Sequence, residues 1–299
     1  MASHQNSPPE TFRQFPSYQS ATRRPAELPP PRSCDCHVHV FDPKEAHRLS
    51  PTRIYNPPDA KASDLLRMHA ALGIQRGVIV QATGYGADHE VMLAALATAG
   101  PDYRGVAIVS DKVPDSDLAR LDAAGVRAAR FTFAPFLKIA PKPEEFARNV
   151  ARIRELGWFI KVFTVGDDLL KYADLFKQAK CPIVFDHMGF LEPERGPGQP
   201  AFGLLLDFLR NEDCYVMVSN FDRRSVTGRP WDDMRPYAEK LIETAPKQVI
   251  WCTDWPHLTY EKIMPNDADL LEFLFACCPS PDLRRQILVD NPARLYGFD

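Results

Sequence analysis

The feature that most limits the folds open to this chain is an alternation. From Cys34 onward, eight short apolar runs recur: CDCHVHVF, RGVIVQA, YRGVAIV, VRAARFTF, WFIKVFT, PIVFDH, CYVMVS and QVIWCT. Between them stand segments such as ASDLLRMHAALG, HEVMLAALATAG, EEFARNVARIRELG and DDLLKYADLFKQA, with apolar residues three and four apart and several terminal glycines. That spacing marks helices with one buried face, and glycine just past the last turn is a common stop. The runs are apolar almost throughout, as strands covered on both faces must be. Eight such units in about 260 residues predict an α/β fold, a (β/α)8 TIM barrel in a single domain. An open doubly wound sheet is the alternative, but no Gly-x-Gly-x-x-Gly follows the first strand to hold a dinucleotide.

Ahead of the barrel the chain reads differently. Residues 1–32 are polar and end in RRPAELPPPR, where consecutive prolines favour an extended chain. We expect an N-terminal arm over 1–32 and a barrel over 33–299, with Phe12, Phe15 and Tyr18 apolar enough to dock the arm on the barrel or on another subunit.

Composition excludes several classes of function. A net charge of -3 and the lack of any Lys/Arg cluster interleaved with aromatics argue against nucleic acid as a partner. Membrane attachment is not expected either, because no run reaches about 18 apolar residues and the N-terminus has neither a signal core nor a lipidation motif. The seven cysteines form no Cys-x-x-Cys repeat and read as reduced packing residues, so a cytoplasmic location is expected. An oligomer is compatible with this composition.

Polar residues collect where a barrel keeps its chemistry, at the C-terminal ends of the strands. His37 and His39 close strand one; a strand alternates its faces, so Asp35, His37 and His39 should share one side. Thr83 and Tyr85 follow strand two, Arg130 lies in strand four, and Asp186 and His187 end strand six. Arg223 follows strand seven and Asp254 follows strand eight. Each has a structural explanation by itself, as a turn cap or an ion pair, but together they define one barrel mouth.

In these residues the chain resembles a known family. DCHVHVFDP, DHMG, TDWPH and VDNPARLYGF look like the second large branch of the amidohydrolase superfamily. VIVQATGYGAD, AGVRAARFTF and SVTGRP are similar, more narrowly, to the 2-pyrone-4,6-dicarboxylate lactonases and related sugar-acid lactonases. The resemblance implies a hydrolytic barrel in which His37, His39 and His187 surround the scissile carbonyl and Asp254 acts as base and then proton donor. Such roles make physical sense, since donors aimed at a developing oxyanion lower the barrier and a carboxylate can take the proton of attacking water.

Many relatives hold a divalent ion with the strand-one histidines, a histidine ending strand five and the aspartate. Strand five here offers Phe163 and Thr164 instead. His37, His39 and Asp254 could still form a three-ligand zinc or manganese site, but the lactonases it most resembles need no metal, so no cofactor is expected. Arg130 and Arg223 are candidates to grip substrate carboxylates with paired hydrogen bonds, and Thr83 and Tyr85 to add neutral ones.

Phe136 and Phe163 stand where the resembled lactonases place an arginine and a tyrosine, with Lys138 the nearest replacement cation. These departures favour a ring with fewer acid groups than the pyrone dicarboxylate, of muconolactone or aldonolactone type. The leading expectation is hydrolysis of a small anionic lactone in aromatic-compound or sugar-acid catabolism. A lactone isomerase, a metal-dependent decarboxylase or hydratase, and a non-catalytic acid-binding protein are the alternatives.

Overall fold

A computed structural model describes residues 15–299. All eight expected strands form: β1 (Cys34–Val38), β2 (Arg76–Val80), β3 (Tyr103–Ile108), β4 (Val126–Thr132), β5 (Phe159–Phe163), β6 (Ile183–Phe185), β7 (Cys214–Val218) and β8 (Val249–Trp251). They are parallel, and each pairs with its successor in the chain. The two ends of the sheet are drawn together where the Asp254 amide donates to the His37 carbonyl at 3.1 Å and the His39 amide to the Trp255 carbonyl at 2.8 Å. The fold is a (β/α)8 barrel.

Helices α1 (Ala62–Leu72), α2 (Glu90–Ala99), α3 (Asp115–Ala123), α4 (Pro143–Glu155), α5 (Asp168–Lys177) and α6 (Pro200–Phe208) follow the first six strands. After β7 come a single turn, α7 (Phe221–Arg224), and α8 (Arg235–Thr244); after β8 come α9 (Asp267–Cys277), α10 (Pro281–Arg285) and α11 (Asn291–Tyr296). Helix α4 shows how the helical layer orients the strands. Proline opens it, Glu144 and Glu145 occupy the first turn where the helix dipole favours anions, and Phe146, Val150 and Ile153 form its buried stripe. Phe146 packs edge-on against Phe131 of β4, with ring centroids 4.9 Å apart. Because Phe131 is committed to the helical layer, its neighbours Arg130 and Thr132 face the barrel axis.

Strand β1 departs from simple alternation. Asp35 pairs with Gly77 and Val38 with Ile79, so β1 has two residues, Cys36 and His37, opposite the single Val78. Such a bulge reverses the parity of all that follows. Asp35 therefore does not share a face with His37 and His39, contrary to the expectation from period two. It faces the helical layer, where it accepts from Thr253 Oγ1 at 2.5 Å and lies 3.3 Å from His69 of α1. Cys36 joins the apolar plug inside the barrel, with Val78, Val80, Phe159 and Met217. His37 stands on top of that plug and looks into the mouth.

Residues of the arm lie on the loop that follows β8. Phe15 and Tyr18 pack against the main core, and the Tyr18 ring meets Trp255 with centroids 4.7 Å apart. Gln19 donates to the Met264 carbonyl at 2.8 Å, and Arg23 pairs with Asp269 and Glu272 of α9. Phe12 lies outside the described residues.

Candidate active site at the barrel mouth

The strand ends bring His37, His39, His187 and Asp254 together. Asp254 Oδ1 stands 3.9 Å from the Nε2 atoms of His37, His39 and His187 alike. This is too long for direct hydrogen bonds and suits bridging by a single oxygen. Asp254 and His187 both hold left-handed backbone conformations, with φ of 62° and 54°. Non-glycine residues rarely adopt that region, and such strain collects at functional sites.

The hydrogen bonds at the outer nitrogens set where the ring protons sit. His39 Nδ1 lies 2.8 Å from the Val80 carbonyl, which can only accept, so Nδ1 carries the proton and Nε2 a lone pair. The reverse holds at His37. Its Nδ1 lies 3.1 Å from Lys161 Nζ, which can only donate, so its proton is on Nε2. The two assignments agree, because His37 Nε2 then donates to His39 Nε2 across 3.3 Å. His187 Nδ1 meets the Ser219 hydroxyl at 2.9 Å.

Lys161 is the residue that reading by motif missed. It is fully buried in the middle of β5, bonded to the Cys36 carbonyl at 3.1 Å and paired with Asp186 Oδ1 at 3.4 Å. The signal was a lone lysine in the apolar strand FIKVF, where a buried cation is costly unless it is paired. Arg130 Nε donates to the other Asp186 oxygen at 3.0 Å, so one carboxylate joins both cations beneath the histidines.

Among the other sequence candidates, Thr83, Arg130 and Arg223 line the cavity at the barrel mouth, whose volume is about 120 Å³. Arg223 reaches Asp254 Oδ2 at 3.3 Å, and its buried Nε has no protein partner. Arg130 has used its Nε on Asp186, which leaves its terminal amino groups for the cavity. Tyr85 is not part of the lining. Its ring stacks on Phe41 at 5.4 Å, and burial pushes its hydroxyl up to about 12. Tyr55 takes that place, with its hydroxyl 3.5 Å from Thr83 Oγ1. Lys138 is exposed and outside the lining, so Phe136 and Phe163 give that side of the cavity an apolar wall.

Burial pushes His39 and His187 down to about 4, and burial with the Lys161 charge holds His37 well below its ordinary value. All three are neutral at pH 7. Burial raises the Asp254 carboxyl, but His187, Arg223, His37 and His39 outweigh it and hold the acid below the usual carboxylate range. With the imidazoles neutral, the Arg223 guanidinium at 3.3 Å is the charge paired with the Asp254 carboxylate.

A metal can be tested against this arrangement. The ligand atoms of His37, His187 and Asp254 lie within 4.8 Å of one another, and His39 Nε2 is 3.3 Å from His37 Nε2 and 3.9 Å from Asp254 Oδ1. The spacing fits a cation. The tautomer does not, because the Lys161 hydrogen bond leaves the His37 proton on Nε2, the atom that would have to ligate.

Fold, strand-end histidines and aspartate together define the class, and the amidohydrolase family profile matches residues 34–298. This chain belongs to the amidohydrolase family. It is 36% identical over 276 residues to the 2-pyrone-4,6-dicarboxylate hydrolase of Comamonas testosteroni, covering 89% of this chain and 90% of that one. The 4-sulfomuconolactone hydrolase of Hydrogenophaga intermedia is 35% identical over 271 residues, covering 90% of this chain and 89% of the relative. A protein of Agrobacterium tumefaciens, solved in its apo form, shares the fold with a TM-score of 0.82 at 23% identity, over 94% of this chain and 99% of that one.

Proposed function

We propose that this enzyme hydrolyses a small carboxylate-bearing lactone by attack of water, with no metal, in the catabolism of aromatic compounds or sugar acids. The observation that carries the reading is the placing of Asp254 Oδ1 at 3.9 Å from three histidine nitrogens, with the tautomers of His37 and His39 set by their outer hydrogen bonds. Two relatives spanning about nine-tenths of the chain are named as hydrolases of a pyrone dicarboxylate and a muconolactone, which supports the same class of substrate.

In this reading the donors and acceptors divide the work. Substrate and water replace the His37–His39 bond: the His39 lone pair and Asp254 accept from the two protons of the attacking water, while the freed His37 Nε2–H, with His187 beside it, is directed at the lactone carbonyl. Water oxygen bonds to the carbonyl carbon as its proton passes to Asp254. The ring C–O bond then breaks, and the Asp254 proton goes to the departing ring oxygen. The product is a hydroxy acid, whose new carboxyl ionises and releases one proton. The Arg223 charge weakens Asp254 as a base, so a substrate carboxylate that neutralises Arg223 also strengthens Asp254. The reading includes an anionic small-molecule partner and a cytoplasmic enzyme, the latter supported by seven cysteines without a disulfide.

Acid release tests it. Carboxylate-bearing lactones incubated with the enzyme in a weakly buffered indicator should yield one proton per ring opened. Conversion to a new lactone without acid release would point to isomerisation, and loss of carbon dioxide to a decarboxylase.

A further inference from the structure

The catalytic cavity, at about 120 Å³, is smaller than the roughly 300–1,000 Å³ usual for ligand sites. It does not end at its own walls. Ile54, Tyr55, Thr83, Arg130 and Leu137 line it and also line a second groove of about 610 Å³ that reaches Ile108 and Val109 beyond β2 and Phe131 of β4. The two spaces therefore adjoin across these five residues, and the groove supplies the volume that the smaller cavity lacks.

The shared wall is mixed, with Ile54, Tyr55 and Leu137 beside Thr83 and Arg130. Ile54, Val109, Phe131, Leu137 and Ile139 supply the apolar part of the groove, while Asp111, Lys112 and Glu145 border it elsewhere. Ile54, Phe136 and Ile139 are 47%, 54% and 49% exposed, three of the seven large hydrophobic residues so exposed among the described residues. Such residues scattered singly need no explanation, but three around one opening do. A permanent cover, such as a second copy of the chain, would close the opening that the groove and the cavity share walls around. A group entering with the substrate would not.

We infer that the natural substrate is a lactone with one carboxylate facing Arg130 and Arg223 and an apolar substituent of about four or more carbons lying in this groove. The inference rests on the lactone hydrolase reading and deepens it. The aromatic wall of Phe136 and Phe163 guides the substituent outward, because the cation beside it, Arg130, 5.4 Å from the Phe163 ring centre, is already engaged by Asp186 and by the first carboxylate.

A ladder of substrates tests this: a five-membered lactone with one ring carboxylate, unsubstituted or carrying methyl, butyl or hexyl at each remaining ring position. For the wild-type enzyme, kcat/KM at one of these positions should rise by about fourfold per buried methylene, and at least about tenfold from methyl to butyl. Ile54→Asn and Ile139→Asn should each reduce the butyl-to-unsubstituted ratio by about fivefold. A ratio that stays flat or falls with chain length at every position overturns the inference while leaving hydrolysis intact. Acid release from no member of the ladder would instead reject the hydrolase reading, and the inference with it. Light scattering separates one further case: a dimer that Ile139→Asn dissociates would make the groove a subunit interface and overturn the inference.

Discussion

At the scale of single residues, a lysine that donates to a histidine nitrogen fixes the proton on the opposite nitrogen, and this is what Lys161 does to His37. The neutral ring becomes a donor toward the reacting centre rather than a ligand. Lys161→Met should release that constraint, letting Nδ1 carry the proton toward Asp186 and giving Nε2 a lone pair. Zinc titration of the variant by calorimetry should then show a binding step that the wild type lacks; binding by both proteins would place ligand control elsewhere. Asp254→Asn is nearly isosteric and should still bind the hydroxy-acid product, yet lose roughly 10²–10⁴-fold in kcat. If it hydrolyses near-normally, the base is another group, and His187 is the next to replace. Arg223→Met should reduce kcat/KM for an acidic lactone far more than for its methyl ester, since a charged hydrogen bond is worth about 1.5–3 kcal/mol. Equal losses on both compounds would restrict Arg223 to its pairing with Asp254. Of these residues, Asp254, Arg223 and the histidines were legible because they sit in motifs at strand ends. Lys161 was not, since it lies inside a strand and its meaning depends on two partners, His37 and Asp186, far away in sequence. Tyr85 was misread for a related reason: sequence shows which loop a tyrosine is on, but not that Phe41 draws its ring away while Tyr55 fills the cavity.

At the scale of elements, all eight strands were legible because parallel barrel strands are buried on both faces and leave apolar runs that no other architecture explains as well. Two features were not. The bulge at Cys36 and His37 inserts a residue without changing composition, so a rule of period two carried Asp35 to the wrong face. Helix α9 was unmarked because nearly every residue of DADLLEFLFAC is buried, which erases the amphipathic stripe. The bulge has a use, since it lets Cys36 fill the plug while His37 enters the site. The arm bears on the site as well, through Tyr18 on Trp255, the residue after Asp254, and Arg23 on α9. We expect removal of residues 1–32 to lower Tm by several degrees, at about 2–4 °C per kcal/mol lost for a domain of this size. Tyr18→Ala alone should lower kcat more than it lowers Tm, because it loosens the loop that carries the base. An unchanged Tm and unchanged turnover on truncation would show that the arm only rests on the surface.

At the scale of the whole molecule, the buried histidines tie folding to pH. His39 and His187 titrate near 6.5 when unfolded and at about 4 when folded, so between these values the unfolded chain binds more protons. Stability therefore rises with pH through that window and is lost as pH falls from about 6.5 to 4, on the order of 3 kcal/mol for each histidine. His257 acts in the opposite sense: burial lowers its affinity for a proton, but Asp267 at 2.9 Å raises it further, so its contribution is largest at low pH and fades as pH rises. Four histidines held low, buried His89 among them, against one held high leave the net slope positive, which denaturant titrations at pH 4.5 and 7 would read directly; greater stability at the lower pH would contradict the buried neutral rings. The same neutral rings, with Lys161, Arg130 and Arg223 around them, are the basis on which we propose catalysis without a metal. The most direct measurement of that claim is the rate of acid release from a carboxylate-bearing lactone by exhaustively chelated enzyme whose metal content has been assayed. Full activity at a metal content far below one ion per chain is the expected result. Loss of activity on chelation, restored by zinc or manganese, would contradict it and make Asp254 a ligand as well as a base.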